Sequence, residues 1–137
     1  MRYRVTDHTA DFGIQALGNT REQVFENAAY ALTDLITETD SLQGIHNRQL
    51  VVTGEDQNDL LMNWLREILY LWHGLEILVK RASIRQLSEV RLTAVLSYEV
   101  YKPGKHEIKN EVKAVTYHQL DVNQNADGWF ATFIVDV

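Results

Sequence analysis

The chain has 137 residues, 45% of them hydrophobic and 23% charged, with a formal net charge of −6 and no cysteine. That length and balance describe one folded domain with a buried core, not a disordered chain. The acidic surplus disfavours unaided tight binding to nucleic acid, and the missing cysteines exclude disulfides, thiolate zinc sites and a cysteine nucleophile.

The first notable stretch in chain order is DHTADFG, Asp7 to Gly13. It precedes any helical pattern, so it belongs to a strand or to the corner between strands, and ADFGIQAL reads as a short strand. NTREQVFENAAYALTDLI follows as the first helix. Thr20 and Gln23 fit a capping box, and Val24, Phe25, Ala28, Ala29, Leu32 and Leu35 or Ile36 recur at helical spacing. RQLVVTG is a second short strand. DQNDLLMNWLREILYLWHG is the second helix, capped by Asp56 or Asn58, with Asp59 in its positive first turn. Leu60, Leu61, Trp64, Leu65, Ile68, Leu69 and Trp72 form a stripe broad enough to cover a sheet, which makes both tryptophans core residues. Gly74 is expected to end this helix as a left-handed cap.

The remainder alternates with period two. EILVKRASIRQL is a further strand. In VRLTAVLSYEV, Val90, Leu92, Ala94, Leu96, Tyr98 and Val100 share one face, and Arg91, Thr93, Ser97 and Glu99 take the exposed one. YKPGKHEIK, with its Pro103-Gly104 turn, is expected to be a solvated hairpin pairing that strand with EVKAVTYHQLDV, where Val112, Ala114, Leu120 and Val122 share a face. WFATFIVDV is apolar on both faces and reads as an inner strand. The expected architecture is a single α+β domain over 1–137, with two helices packed on a mixed, largely antiparallel sheet of about six or seven strands. No apolar run approaches the ~20 residues that span a bilayer, and MRYRVTDH has no signal-peptide apolar region, so a soluble cytoplasmic protein is expected.

Asp7, His8 and Asp11 have a bland explanation, since aspartates in corners bond nearby backbone amides. Asp136 is different. It interrupts a strand that is otherwise apolar on both faces, and a carboxylate there costs energy unless it is hydrogen-bonded or paired. The alternative is a frayed end in which Asp136 is solvated. If the Asp11 corner and the last strand are neighbours, two aspartates and the Val137 α-carboxylate meet, and oxygen-only ligands favour Ca²⁺ or Mg²⁺ over zinc. Lys113 shares a face with Val115 and Tyr117; it is either a snorkelling lysine or a cation poised near the carboxylates or near a phosphate. The five histidines are scattered, with no H-E-x-x-H pairing, and no glycine-rich phosphate loop is present.

Taken together, DHTADFGIQALGNTREQVFENAAYAL at 7–32, DLLMNWLREILYL at 59–71, EVKAVTYHQL at 111–120 and FIVDV at 133–137 resemble the archease family, in family order and across most of the chain. The resemblance implies an accessory protein and not an enzyme in its own right. Archeases assist RtcB-type RNA ligases in tRNA splicing and RNA repair, promoting GTP-dependent guanylylation and multiple turnover. Some are described as chaperones of a tRNA cytosine-5 methyltransferase. The resemblance also implies a carboxylate metal site for Ca²⁺, or for Mg²⁺ or Mn²⁺, formed by Asp11, Asp136 and an oxygen of Val137. It makes Lys113 a position needed for function and places Asp7 and His8 in the same motif. Two rivals stand beside ligase activation: a methyltransferase chaperone, and a small metal-dependent phosphohydrolase using His8 with Asp11.

Overall fold

The computed structural model describes residues 1–7 and 11–137. Along the chain it places β1 (Tyr3–Asp7), β2 (Asp11–Gly18), α1 (Arg21–Ile36), a 3-10 turn at Thr39–Ser41, β3 (His46–Thr53) and α2 (Gln57–Leu75). Then follow β4 (Ile77–Leu87), β5 (Arg91–Val100), β6 (Ala114–Asn125) and β7 (Gly128–Asp136). The α+β class holds. The strands divide into two sheets, ordered β1-β2-β7-β6 and β3-β5-β4, and every pairing is antiparallel.

Local chemistry sets the helix starts. The Thr20 hydroxyl accepts the Gln23 N–H at 3.1 Å, and the Gln23 side chain accepts the Asn19 N–H at 2.8 Å, so the capping box reaches one residue further upstream than expected. Asp56 accepts the Asp59 N–H at 2.8 Å and caps α2. The two helices meet at Trp64, which is fully buried and donates its indole N–H to the Phe25 carbonyl at 2.8 Å. Trp72 is partly buried against the same core.

α2 does not stop at Gly74. It runs to Leu75, and Glu76 takes the left-handed conformation, φ 55°, while its N–H closes the helix on the Leu71 and Trp72 carbonyls. β4 begins at the next residue, and the Glu76 carbonyl accepts the Tyr101 N–H at 2.8 Å. The reversal therefore has to occur at Glu76, whatever its side chain.

The expected hairpin between β5 and β6 is absent. Both edges of β5 are already taken by β3 and β4, so β6 has no place beside it and joins the other sheet against β7. Residues 101–113 instead cross to the end of α1. Lys109 N–H donates to the Ile36 carbonyl at 2.7 Å, the Thr37 hydroxyl to the Glu107 carbonyl at 2.7 Å, and the Asn110 amide to the Leu35 carbonyl at 2.7 Å. Glu99, expected to be exposed, is buried, and Val90 and Val100, expected inside, are exposed. The face shared by Val112, Ala114, Leu120 and Val122 is also broken. Val112 and Val122 are buried but Ala114 is exposed. A register shift between Thr116 and Asp121, with Gln119 at φ 56°, resets the alternation. β7 is an inner strand as expected, between β2 and β6. Among the described residues, no helix is long and apolar enough to cross a membrane.

Candidate functional site

Because β7 is interior, its last residues are flanked on both sides. Asp136 lies directly opposite Asp11 of β2 and opposite Ala114 of β6, and the Lys113 N–H donates to the Asp136 carbonyl at 2.8 Å. The N-terminal corner, the start of β6 and the last strand therefore meet at one end of the four-stranded sheet.

Alternation then decides which side chains share a face. Ile14, Ala16, Ala131, Phe133 and Val135 are buried and point toward the helices. Asp11 and Asp136 are one position out of phase with them, so both carboxylates project from the opposite face. Directly opposed residues in an antiparallel pair have Cα atoms about 4.5–5.5 Å apart. Asp11 is exposed and Asp136 half-buried. Among the described residues, neither side chain has an ion-pair or hydrogen-bond partner. Asp7 ends β1 opposite Gly13, after a register shift that follows Val5. The approach there is close enough that a Cβ on Gly13 would lie 2.6 Å from the Thr6 hydroxyl, so glycine lets this corner fold flat onto β2. His8 lies outside the described residues.

The donor set is two carboxylates at registered positions and, next in the chain, an oxygen of Val137. Among the described residues no group of three or more His, Cys, Asp or Glu side chains gathers to hold an ion. The oxygens present fit part of the shell of a hard divalent cation and leave the other positions to water or to a partner. Like charges placed opposite each other repel, which favours a bound cation on the same grounds.

Lys113 is tied to Asp136 through its backbone, but its side chain lies on the helix side of the sheet. It lines a cleft of about 340 Å³ with Arg66, Tyr70, His73, Val115 and Tyr117. The sequence places Lys113 on one face with Val115 and Tyr117 but does not reveal Arg66, Tyr70 and His73 of α2 opposite them. The available signal was Tyr70, an aromatic lying off the apolar stripe of α2; it is 66% exposed, and Tyr117 is 62% exposed.

The chain matches the Archease protein family (MTH1598/TM1083) over residues 3–137. It is 39% identical to the protein archease of Methanosarcina acetivorans, over 99% of this chain and 96% of that one. It is 37% identical to the protein archease of Pyrococcus abyssi, over 99% of each chain. The solution structure of Methanobacterium thermoautotrophicum protein 1598 has the same fold, with a TM-score of 0.84, 31% identity and 99% of each chain covered. The crystal structure of "an archease, possible chaperone" from Thermotoga maritima has a TM-score of 0.60 at 19% identity, covering 98% of this chain and 96% of that one, a likeness of fold alone.

Proposed function

The chain belongs to the archease family, and from that premise we propose that it is a cytoplasmic accessory factor of an RtcB-type RNA ligase. In this reading it promotes metal- and GTP-dependent guanylylation of the ligase and sustains multiple turnover in tRNA splicing and RNA repair. One observation carries the reading: Asp11 and Asp136 are held directly opposite each other and, among the described residues, neither is paired with a Lys or Arg side chain. A divalent ion bound there supplies positive charge to a triphosphate undergoing guanylyl transfer. The chain's own contribution is placement. Strand pairing fixes the two carboxylates, the Lys113 N–H holds the Asp136 backbone, and the Lys113 ammonium, without an ion pair among the described residues, is available to a phosphate or to an acidic ligase residue. The net charge of −6 leaves the grip on RNA to the partner.

The test mixes purified ligase, GTP and a divalent ion with wild type, Asp11→Ala, Lys113→Ala or Asp136→Ala, and measures guanylylation and turnover. Each substitution is expected to lower stimulation by roughly tenfold or more, the scale seen when a metal site loses a ligand or its support. Folded variants that all stimulate like wild type refute the site. Turnover of a phosphoester by this protein without the ligase refutes the accessory role. The words "possible chaperone", used of the Thermotoga relative, favour a second reading, with a tRNA cytosine-5 methyltransferase as client. That reading predicts suppression of methyltransferase aggregation that survives Asp11→Ala and Asp136→Ala.

A further inference from the structure

Helix α2 runs beside the outermost strands of both sheets, β6 of the larger and β3 of the smaller, and its polar side chains staple them. The Asn58 carbonyl oxygen accepts the Val122 N–H at 3.0 Å, and the Gln57 amide donates to the Val122 carbonyl at 3.0 Å. The Asn63 amide donates to the Thr53 carbonyl of β3 at 2.9 Å. Near the other end of the helix, His73 Nε2 is hydrogen-bonded to the Val112 carbonyl at 2.7 Å. Between the staples on the β6 side, helix and strand part to form the cleft that Lys113 enters.

The charge of this cleft is opposite to that of the molecule. Among the described residues, the cations Arg66 and Lys113 line it beside the His73 imidazole and no acidic residue does, in a chain whose net charge is −6. Among the described residues neither Arg66 nor Lys113 forms an ion pair; Arg66 donates only to the Tyr117 hydroxyl, at a long 3.4 Å. Tyr70 and Tyr117 are largely exposed, and buried Leu69 and Val115 form an apolar floor. Exposed tyrosine and arginine over an apolar floor is the composition of protein-binding hot spots. The overall acidity repels a long polyanion, but a short acidic segment senses chiefly the charges within about one Debye length, ~8 Å at physiological salt.

We propose that this cleft docks an extended acidic segment of a protein partner. Its carboxylates meet Arg66 and Lys113, and one apolar side chain seats between Tyr70 and Tyr117 on Leu69 and Val115. The cleft is on the helix side of the sheet, whereas Asp11 and Asp136 face away; Lys113, bonded to Asp136 through its backbone, belongs to both, so Arg66 and Tyr70 are the residues that distinguish the docking surface from the carboxylate pair. The inference does not depend on which client enzyme is engaged.

The test is an NMR titration of the isotopically labelled full chain with three probes: a short Asp- and Glu-rich peptide carrying one phenylalanine, inorganic phosphate, and a short single-stranded RNA. The peptide is expected to give saturable shifts confined to Arg66, Tyr70, His73 and 113–117. Affinity should fall roughly tenfold or more in Arg66→Glu and measurably in Tyr70→Ser, both exposed positions at which the spectrum itself reports retained folding. Scattered or absent shifts with the peptide overturn the proposal. So does tighter occupation of the same residues by phosphate or RNA, or unchanged peptide affinity in Arg66→Glu.

Discussion

Asp11 and Asp136 face each other across two strands, and opposed like charges in a sheet are destabilising. Folding stability is therefore given up locally. Asp11→Asn should raise the thermal midpoint of the EDTA-treated protein by about 2 °C, as expected for relief of a cross-strand repulsion. On the proposed reading calcium should raise the midpoint of wild type, and the same change should abolish that increase, because a ligand stabilises the state that binds it. Differential scanning calorimetry with and without calcium decides; a lower midpoint in EDTA for the variant contradicts the repulsion. Both aspartates were legible in the sequence, Asp136 because a carboxylate breaks an apolar alternation. Their adjacency was not, since it depends on how β2 and β7 pair across most of the chain. The lysine was legible only by halves. Its strand and face could be read, but its neighbours Arg66, Tyr70 and His73 come from a helix distant in sequence.

At the level of elements, the helices were readable because their signals are local. Thr20 and Gln23 start α1, Asp56 starts α2, and the apolar spacing of each helix matches its buried face. The end of α2 was misread because Gly74 carried the usual stop signal while the reversal occurs two residues later, at Glu76, φ 55°. That conformation is unfavourable for a residue with a Cβ. Glu76→Gly is therefore expected to stabilise the protein by about 0.5–1 kcal/mol, the gain from removing left-handed strain less the added freedom of glycine in the unfolded chain. Urea denaturation measures it, and a destabilised variant would assign the Glu76 side chain a role beyond its backbone. β6 was misread for a related reason. Gln119, also at positive φ, sits in a bulge that leaves Val115 and Val122 both buried although their odd offset along the strand would put them on opposite faces.

On the scale of the whole molecule, the separation into two sheets could not be read from periodicity, which reports a strand's faces and not its neighbours. The segment 101–113 shows the consequence. It looked like a polar hairpin tip, yet it spans from β5 to the end of α1 and is fastened by a buried charge. The Glu99 carboxylate accepts hydrogen bonds from the Lys105 ammonium at 2.7 Å, from the Gln43 N–H, and lies 3.2 Å from His106 Nε2. Burial alone would push this carboxyl up, but the hydrogen bonds from Lys105, Gln43 and His106 outweigh it and hold it down at about 2. A depressed carboxylate stabilises the fold above its unfolded value, near 4.5, and that contribution is lost as pH falls through the folded value. Wild-type stability should therefore decline more steeply than that of Glu99→Gln between pH 4.5 and pH 2. At neutral pH the variant should be less stable by roughly 2–3 kcal/mol, the scale for losing charge-assisted hydrogen bonds in a buried site. Parallel slopes of urea midpoint against pH for the two proteins would show that Glu99 does not fasten this crossing.

The amides of Gln57 and Asn58 occupy backbone groups of β6 that another strand would otherwise take, and β6 is a 12-residue strand at the margin of its sheet. A bare margin of that length is a template on which a second polypeptide can be laid down and fibre growth begun. By covering part of it with the first turn of α2, the fold carries its own brake on cross-β polymerisation.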